Sequence, residues 1–147
     1  MNRLFIQIMN QLDRKSHEYR ALKRYWTLIL QDSRKLSDRR FYRPTFRMYL
    51  TNKEILDKLL SYSEYLKQHY NLYQLLLFHI QEKQAGHFFD LIEETISSVS
   101  SIFLTVFRTF VKDKDKIINA LELPYSNAKL KETNSLIKVI KRNTFEF

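Results

Sequence analysis

The sequence has no cysteine, one glycine and two prolines among its 147 residues. Without cysteine the chain forms no disulfide, no thiolate zinc site and no cysteine nucleophile, which fits a reducing, cytoplasmic setting. So few chain breakers argue against a turn-rich β-sandwich and against a doubly wound sheet with glycine loops. A single glycine also excludes the GxxxxGK[ST] and GxGxxG loops that cradle phosphates.

Long apolar runs are missing as well. No window approaches the roughly 20 apolar residues that a membrane-spanning helix needs. The first twelve residues are apolar but lack the charged start and the small-residue cleavage site of a signal peptide. We therefore expect no signal peptide and no membrane partner.

Residue patterns typical of catalysis are absent too. The histidines, at positions 17, 69, 79 and 87, show neither HExxH nor HxH spacing, so zinc binding is not expected. Adjacent Glu93 and Glu94 point in different directions on a helix and are not a carboxylate pair. With no GxSxG sequence either, these patterns predict no catalytic residue, no metal site and no cofactor.

Apolar residues recur at helical spacing along most of the chain. The residues Thr51 to Glu54 have the pattern of a capping box, which predicts the start of a helix. The segment Phe41 to Leu50 is basic and amphipathic, and Pro44 must lie near the first turn of a helix there or break it. The tyrosines at 62, 65, 70 and 73 suit base stacking or core packing, and core packing is favoured because Leu66 and Leu77 share their stripe. We expect an all-α bundle of about seven or eight helices without a sheet, over about 1–11, 16–31, 51–60, 64–82, 87–97, 101–112, 113–121 and 127–142. Residues 1–122 would form one helical domain and 123–147 an appended terminal helix.

The net charge of +9 is concentrated in one stretch. Between Arg14 and Lys53 there are twelve Lys/Arg and three Asp/Glu, whereas the remaining thirteen basic and thirteen acidic residues cancel. Such a concentration is typical of a polyanion-binding surface, although a solvated basic face without a partner shows the same pattern. Aromatic residues alternate with arginines here, which suits contact with phosphates. The candidate DNA-binding residues in this stretch are Arg39, Arg40, Arg43 and Arg47.

The C-terminal stretch, LPYSNAKLKETNSLIKVIKRNTFEF, resembles the C-terminal signature of the ISL3 family of insertion-sequence DDE transposases. In that family a run like LPYSNAKLEATN precedes a lysine-rich segment. The upstream segments QIMNQLDRKSHEYRALKRYW, DSRKLSDRRFYRPTFRMYLT and KEILDKLLSYSEYLKQHYNLYQLLLFHI resemble the family's helical segment in the same order. The resemblance covers nearly the whole chain.

The resemblance implies an RNase H-like core in the intact enzyme, with two Asp and one Glu that hold two divalent ions, usually magnesium. This chain would be the helical insertion and the final helix, without the two Asp. Lys131 stands where the family has its Glu, and Glu132, the nearest carboxylate, is displaced by one position, about 100° around a helix. The positions that match the family pattern, taken as further DNA contacts, are Asn127, Lys129, Asn134, Lys138, Lys141 and Arg142.

Together these observations predict a truncated, catalytically inactive transposase fragment that is not an enzyme and needs no cofactor of its own. It would retain non-specific binding to the DNA phosphate backbone in transposition, in a bacterial cytoplasm. The alternative is a helical protein-interaction module that docks on, or inhibits, intact transposase, or pairs with its own copy.

Overall fold

The computed structural model describes residues 1–122. Within them it contains seven α-helices, a short 3-10 helix at Ser33–Lys35 and one two-stranded sheet, so the expected helical bundle is confirmed. The helix predicted over 127–142 and the domain 123–147 lie outside the described residues. The elements are α1 (Asn2–Gln11), α2 (His17–Leu30), β1 (Phe41–Arg43), β2 (Met48–Leu50), α3 (Asn52–Ser61), α4 (Glu64–Gln81), α5 (Ala85–Thr95), α6 (Ser101–Lys112) and α7 (Lys114–Glu122).

Hydroxyl side chains define the starts of three helices. The Ser16 hydroxyl accepts a hydrogen bond from the Tyr19 amide at 3.1 Å, and the Ser63 hydroxyl accepts one from the Leu66 amide at 3.2 Å. Thr51 and Glu54 form the predicted capping box, in which each side chain accepts from the other's backbone amide. These bonds satisfy amides that an opening helical turn leaves without a partner.

The chain divides into two compact units, each described here by itself. Phe5–Gln74 is called the hairpin unit because it contains both strands. The other, called the phenylalanine unit after its core, comprises Met1–Leu4 and, in its described part, residues 75–122.

In the hairpin unit, α2 packs on α3, and α3 on β2. Helical spacing places the apolar side chains of these elements on one face, and the core includes the fully buried Leu22, Ile29, Ile55, Leu59 and Leu66. The end of α2 is held by α4: the Tyr73 hydroxyl donates to the Leu30 carbonyl at 3.0 Å, and the Gln74 side chain donates to the Gln31 carbonyl at 2.8 Å. Carbonyls at a helix end thereby gain partners that the helix cannot supply.

The core of the phenylalanine unit is aromatic. Phe103, Phe107 and Phe110 recur at i, i+4 and i+7 on α6 and are all at least 98% buried. The Phe88 ring on α5 lies 5.6 Å from the Phe110 ring, a distance typical of favourable aromatic pairs. Both α5 and α6 pack on α7.

The amphipathic segment predicted over Phe41–Leu50 is not a helix but an antiparallel β-hairpin, so the expectation of a fold without any sheet was wrong at this point. Pro44 contributes to this outcome, because its fixed φ suits the second position of the β-turn, whereas a helix over these residues could place it only near its first turn. Three of the six strand residues, Phe41, Tyr42 and Tyr49, are aromatic, and aromatic side chains favour extended strands.

The helix predicted to begin at about residue 87 begins earlier, at Ala85. Gly86 lies in the first turn of α5, and the left-handed residue between α4 and α5 is instead Lys83, with a φ of 55°. The amides of Lys83 and Gln84 donate to the carbonyls of Ile80 and His79, which closes the end of α4. A left-handed residue at a helix end makes these bonds without requiring glycine.

Candidate nucleic-acid interface

The basic hairpin, residues 39–50, brings together the four arginines that the charge pattern singled out. Arg39 and Arg40 precede β1, Arg43 ends it opposite Met48, and Arg47 lies in the loop before β2. Four guanidinium groups therefore lie within one twelve-residue segment. Guanidinium is the side-chain group whose planar geometry best matches a phosphate.

The sequence of the hairpin loop explains its turn. The Phe46 amide donates to the Arg43 carbonyl at 3.0 Å, which closes a β-turn with Pro44 in the second position. The fixed φ of proline is favoured at that position. Arg47 follows with a left-handed φ of 55°, and its amide donates to the same carbonyl at 2.8 Å. The turn thus places the Arg47 side chain, which is exposed, at the tip of the hairpin.

An aromatic side chain holds the tip of the hairpin against the helices. The Phe46 ring stacks on the Tyr25 ring of α2 at 5.8 Å and meets the His17 ring edge-on at 5.3 Å. The ammonium group of Lys58, on α3, lies 6.0 Å from the centre of the Phe46 ring. The tip is therefore supported from two helices, which orders the arginines beside it.

The base of the hairpin is held by polar contacts to the start of α3. Arg43 donates to the side chain of Asn52 at 3.0 Å and to the Leu50 carbonyl at 3.4 Å. Arg40 forms an ion pair with Glu54 at 3.1 Å, and both side chains are exposed. The Thr51 amide, which donates to the carboxylate, and the nearby Arg40 hold the pKa of Glu54 below its usual 4.5. Glu54 is therefore ionised at neutral pH and partly offsets the charge of Arg40.

Arg39 and Arg47 keep their charges open to solvent. Among residues 1–122 no carboxylate lies within 4 Å of either guanidinium. The guanidinium of Arg39 lies over the exposed Phe41 ring at 5.4 Å, and that of Arg43 lies 5.3 Å from the same ring. Two of the four predicted residues are thus available to an anion, and two are partly engaged within the protein.

The structure adds basic residues that were not among the candidate site residues. Arg20, Lys23 and Arg24 are all exposed on α2. The Arg24 guanidinium lies 5.7 Å from the Tyr25 ring, the same ring that stacks on Phe46 of the hairpin. The basic face of α2 therefore adjoins, at Arg24, the aromatic contact that holds the hairpin. Its i, i+3, i+4 spacing is visible in the sequence, but its position beside residues 39–50 is not.

An exposed aromatic pair was also missed. Tyr42 and Tyr49 face each other across the two strands, with ring centres 5.4 Å apart, and are 52% and 66% exposed. Alternation along β2 turns Tyr49 away from Leu50, which is 96% buried. Reading residues 41–50 as strands rather than as a helix would have revealed this alternation.

The charge of the two units differs. The hairpin unit has fourteen Lys/Arg and seven Asp/Glu, a net charge of +7, whereas the described part of the phenylalanine unit has six and seven, a net charge of −1. A polyanion is therefore attracted to the hairpin unit.

A comparison with protein families matches residues 1–147, the whole chain, to the DDE transposase family ISL3, described as "Transposase". The chain belongs to the ISL3 transposase family. The resemblance inferred from the C-terminal stretch is thereby confirmed. The family match also contradicts one expectation. DDE transposases are enzymes that cleave DNA and transfer strands, so the prediction that this chain is not an enzyme was wrong.

Among curated proteins, this ISL3 family member is similar to an "ATP-dependent protease" of Lactococcus lactis subsp. lactis. The two are 38% identical over 99 residues, which cover 67% of this chain and 32% of the relative. The chain thus spans about a third of that protein's length. No solved structure matches this chain.

The positions that carry the family's C-terminal signature lie outside the described residues. They include Lys131 and Glu132 and the six predicted DNA contacts Asn127, Lys129, Asn134, Lys138, Lys141 and Arg142. Within residues 1–122, no group of three His, Asp or Glu side chains is placed to hold a metal ion. The described part of this transposase-family chain therefore does not by itself supply a set of ligands for the divalent metal ions that the resemblance implies for the family's catalytic site. No helix within the same residues is long and apolar enough to cross a membrane.

Proposed function

We propose that this chain acts in DNA transposition as a DNA-binding helical part of an ISL3-family transposase. Residues 1–122 would be the insertion-type domain, and residues 123–147 the segment that accompanies the RNase H-like core. The basic hairpin and the adjoining face of α2 would bind the phosphate backbone of DNA without sequence specificity. Family membership supports the role in transposition, and the hairpin unit supports the role in DNA binding.

The observation that carries this proposal is the exposed, locally unbalanced charge of the basic hairpin. Arg39 and Arg47 are exposed and unpaired among the described residues, and the hairpin unit has a net charge of +7. Binding of phosphates by such side chains releases counterions from DNA, which makes the affinity fall steeply with salt.

The name of the Lactococcus relative suggests a different chemistry, a protease that uses ATP. That name does not extend to this chain. The similarity covers about a third of the relative. The match to the transposase family, in contrast, covers every residue.

A second candidate function, docking on intact transposase or on another copy of the chain, has an observation of its own. Leu75 and Phe78 lie one turn apart on α4 and are 48% and 39% exposed, and Val111 on α6 is 46% exposed. Exposed apolar side chains favour protein contacts. Co-purification of full-length ISL3 transposase with the tagged chain tests this alternative, and replacement of Leu75 and Phe78 by serine should abolish it. If the serine variant still co-purifies the enzyme, these side chains are not the docking surface.

Fluorescence anisotropy with a labelled 30-base-pair duplex tests the DNA-binding proposal. We expect the affinity to fall as NaCl rises from 50 to 250 mM. The slope of log K against log salt should become shallower by about two when Arg39 and Arg47 are replaced by alanine, since each phosphate contact contributes about one. The matched control is the double replacement of Lys112 and Lys116 by alanine, which removes the same charge from exposed positions of the phenylalanine unit. Equal effects of the two double variants, or salt-independent binding, would contradict the proposal.

A further inference from the structure

We propose that Tyr42 and Tyr49 form a stacking site for unpaired nucleobases, so that the basic hairpin binds single-stranded DNA in preference to intact duplex. This inference rests on the proposed DNA binding and adds the class of DNA that the hairpin recognises. It follows from the exposure of the two rings, their arrangement and the charges around them.

Tyr42 and Tyr49 are more exposed than the other tyrosines of the hairpin unit. Tyr42 and Tyr49 are 52% and 66% exposed, whereas Tyr70 and Tyr73 of the same unit are 6% and 1% exposed. The hairpin is attached to the helices by other side chains, Phe46 and Leu50. The two tyrosines are therefore not needed to dock the hairpin, and their apolar rings stay in water.

The geometry of the pair suits stacking. The rings lie opposite each other on adjacent strands, 5.4 Å between centres and inclined by 62°. In such an edge-to-face arrangement each ring keeps a face that its partner does not cover. A nucleobase can stack on that face irrespective of its identity, while the phenol hydroxyl stays in contact with water.

The charges of the basic hairpin supply the other requirement, a path for the phosphates. Arg47 lies two residues before Tyr49, at the tip of the same hairpin. The Arg39 guanidinium lies over Phe41, whose side chain points to the opposite face of β1 from Tyr42, so it flanks the stacking face rather than touching it. Cationic side chains next to exposed aromatic rings are the combination by which proteins bind single strands without sequence preference. In a duplex the faces of the bases are already stacked on one another, so only unpaired bases present them to the tyrosines.

A purely structural role for the pair must be separated from stacking, because cross-strand aromatic pairs also stabilise hairpins. The test variant is therefore Y42T/Y49T, since threonine favours strands but has no ring. The matched control is Y42F/Y49F, which keeps both rings. Hydrogen exchange of the peptide that covers residues 39–50 reports whether the hairpin stays folded in each variant.

Fluorescence anisotropy with labelled dT20 and with a 20-base-pair duplex measures the preference. We expect the wild-type protein to bind dT20 more tightly than the duplex. Y42T/Y49T should weaken dT20 binding by about tenfold or more, and duplex binding by less than about twofold, because each stacked base contributes substantially to the affinity for single strands. Y42F/Y49F should bind dT20 within about twofold of wild type.

Photo-cross-linking of the wild-type protein to an oligonucleotide with 5-iododeoxyuridine gives a readout that a structural role would not produce. We expect mass spectrometry to locate the cross-link on Tyr42 or Tyr49. Cross-links confined to other residues would overturn the inference even if Y42T/Y49T proves unfolded. The inference would also be overturned if the hairpin of Y42T/Y49T stays folded and dT20 binding is unchanged. The exposed tyrosines would then be assigned to a contact with another protein.

The same experiments distinguish failure of this inference from failure of the proposed function. If R39A/R47A weakens duplex binding while Y42T/Y49T changes neither DNA, only the stacking site is wrong. If the wild-type protein binds neither DNA, the proposed DNA binding is wrong as well.

Discussion

Replacement of Phe46 by alanine should separate the basic hairpin from the helices without removing any charge. The ring contacts Tyr25 at 5.8 Å, His17 at 5.3 Å and the Lys58 ammonium at 6.0 Å. Each aromatic pair contributes about 0.5–1.5 kcal/mol and an exposed cation–π contact about 0.5–1 kcal/mol. Because the ring is only half-buried, we expect a loss of about 2–3 kcal/mol, below the 3–5 kcal/mol typical of a fully buried phenylalanine.

Two measurements test this loss. Circular dichroism should show Tm lower by roughly 5–10 °C in a chain of this size. Hydrogen exchange should show faster exchange in residues 39–50, because the hairpin loses its support at the tip. The matched control is Phe41→Ala on the same hairpin. The Phe41 ring is 47% exposed and meets only the guanidinium groups of Arg39 and Arg43 among its ring contacts in the described residues, so its removal should cost about 1 kcal/mol or less.

The reasoning would be refuted if Phe46→Ala and Phe41→Ala lowered Tm equally, or if hydrogen exchange in residues 39–50 stayed at the wild-type rate in Phe46→Ala. Either result would mean that Phe46 does not hold the hairpin against α2 and α3. The arginines would then be positioned by the contacts at the base of the hairpin alone.

Three further predictions concern stability. Thr51→Ala removes one half of the capping box and should lower the free energy of unfolding by about 1 kcal/mol in urea titrations, whereas Thr51→Ser should be close to wild type; equal losses would show that the hydroxyl is not the cap. Phe88→Ala, at a fully buried ring, should cost about 3–5 kcal/mol, and Phe88→Leu clearly less; similar losses for both would argue against a tightly packed aromatic core. Burial lowers the pKa of His69 below its usual 6.5. As the pH drops, the unfolded chain therefore binds a proton at this residue before the folded protein does, which favours unfolding. The urea midpoint should fall as the pH drops from 6.5 towards the lowered pKa of the folded protein. In His69→Leu this dependence should be weaker across that pH range, and an unchanged dependence would assign it to another group.

Local sequence signals determined most of the helical architecture. The bounds of helices α2, α3, α4 and α6 were predicted nearly to the residue. Apolar periodicity and hydroxyl caps depend only on residues a few positions apart in the chain. The burial of Leu66, Tyr70, Tyr73 and Leu77 along one stripe of α4 followed from the same periodicity. Family membership was also predicted from the sequence alone, from ordered blocks that end in residues 123–147.

The candidate interface was predicted only in part. The sequence indicated that the positive charge is concentrated between Arg14 and Lys53, and the four hairpin arginines were predicted from this stretch as DNA-binding residues. It did not indicate a hairpin, because a ten-residue stretch with apolar and basic residues fits either a helix or two short strands. Pro44 is compatible with the turn of a hairpin and also with the first turn of a helix. Strand pairing and the contacts of Phe46 with α2 and α3 decided between them.

What the sequence determined by itself is therefore the set of properties that depend on near neighbours or on composition: helix positions, helix caps, the net charge and the family. Only the tertiary structure decided which arginines are engaged and which are open. Arg40 pairs with the carboxylate of Glu54, 14 positions away, and Arg43 with the amide of Asn52, 9 positions away. Arg39 and Arg47 have no carboxylate partner among the described residues. The exposure of Tyr42 and Tyr49 is likewise a tertiary property, because it depends on which face of the hairpin packs against the helices.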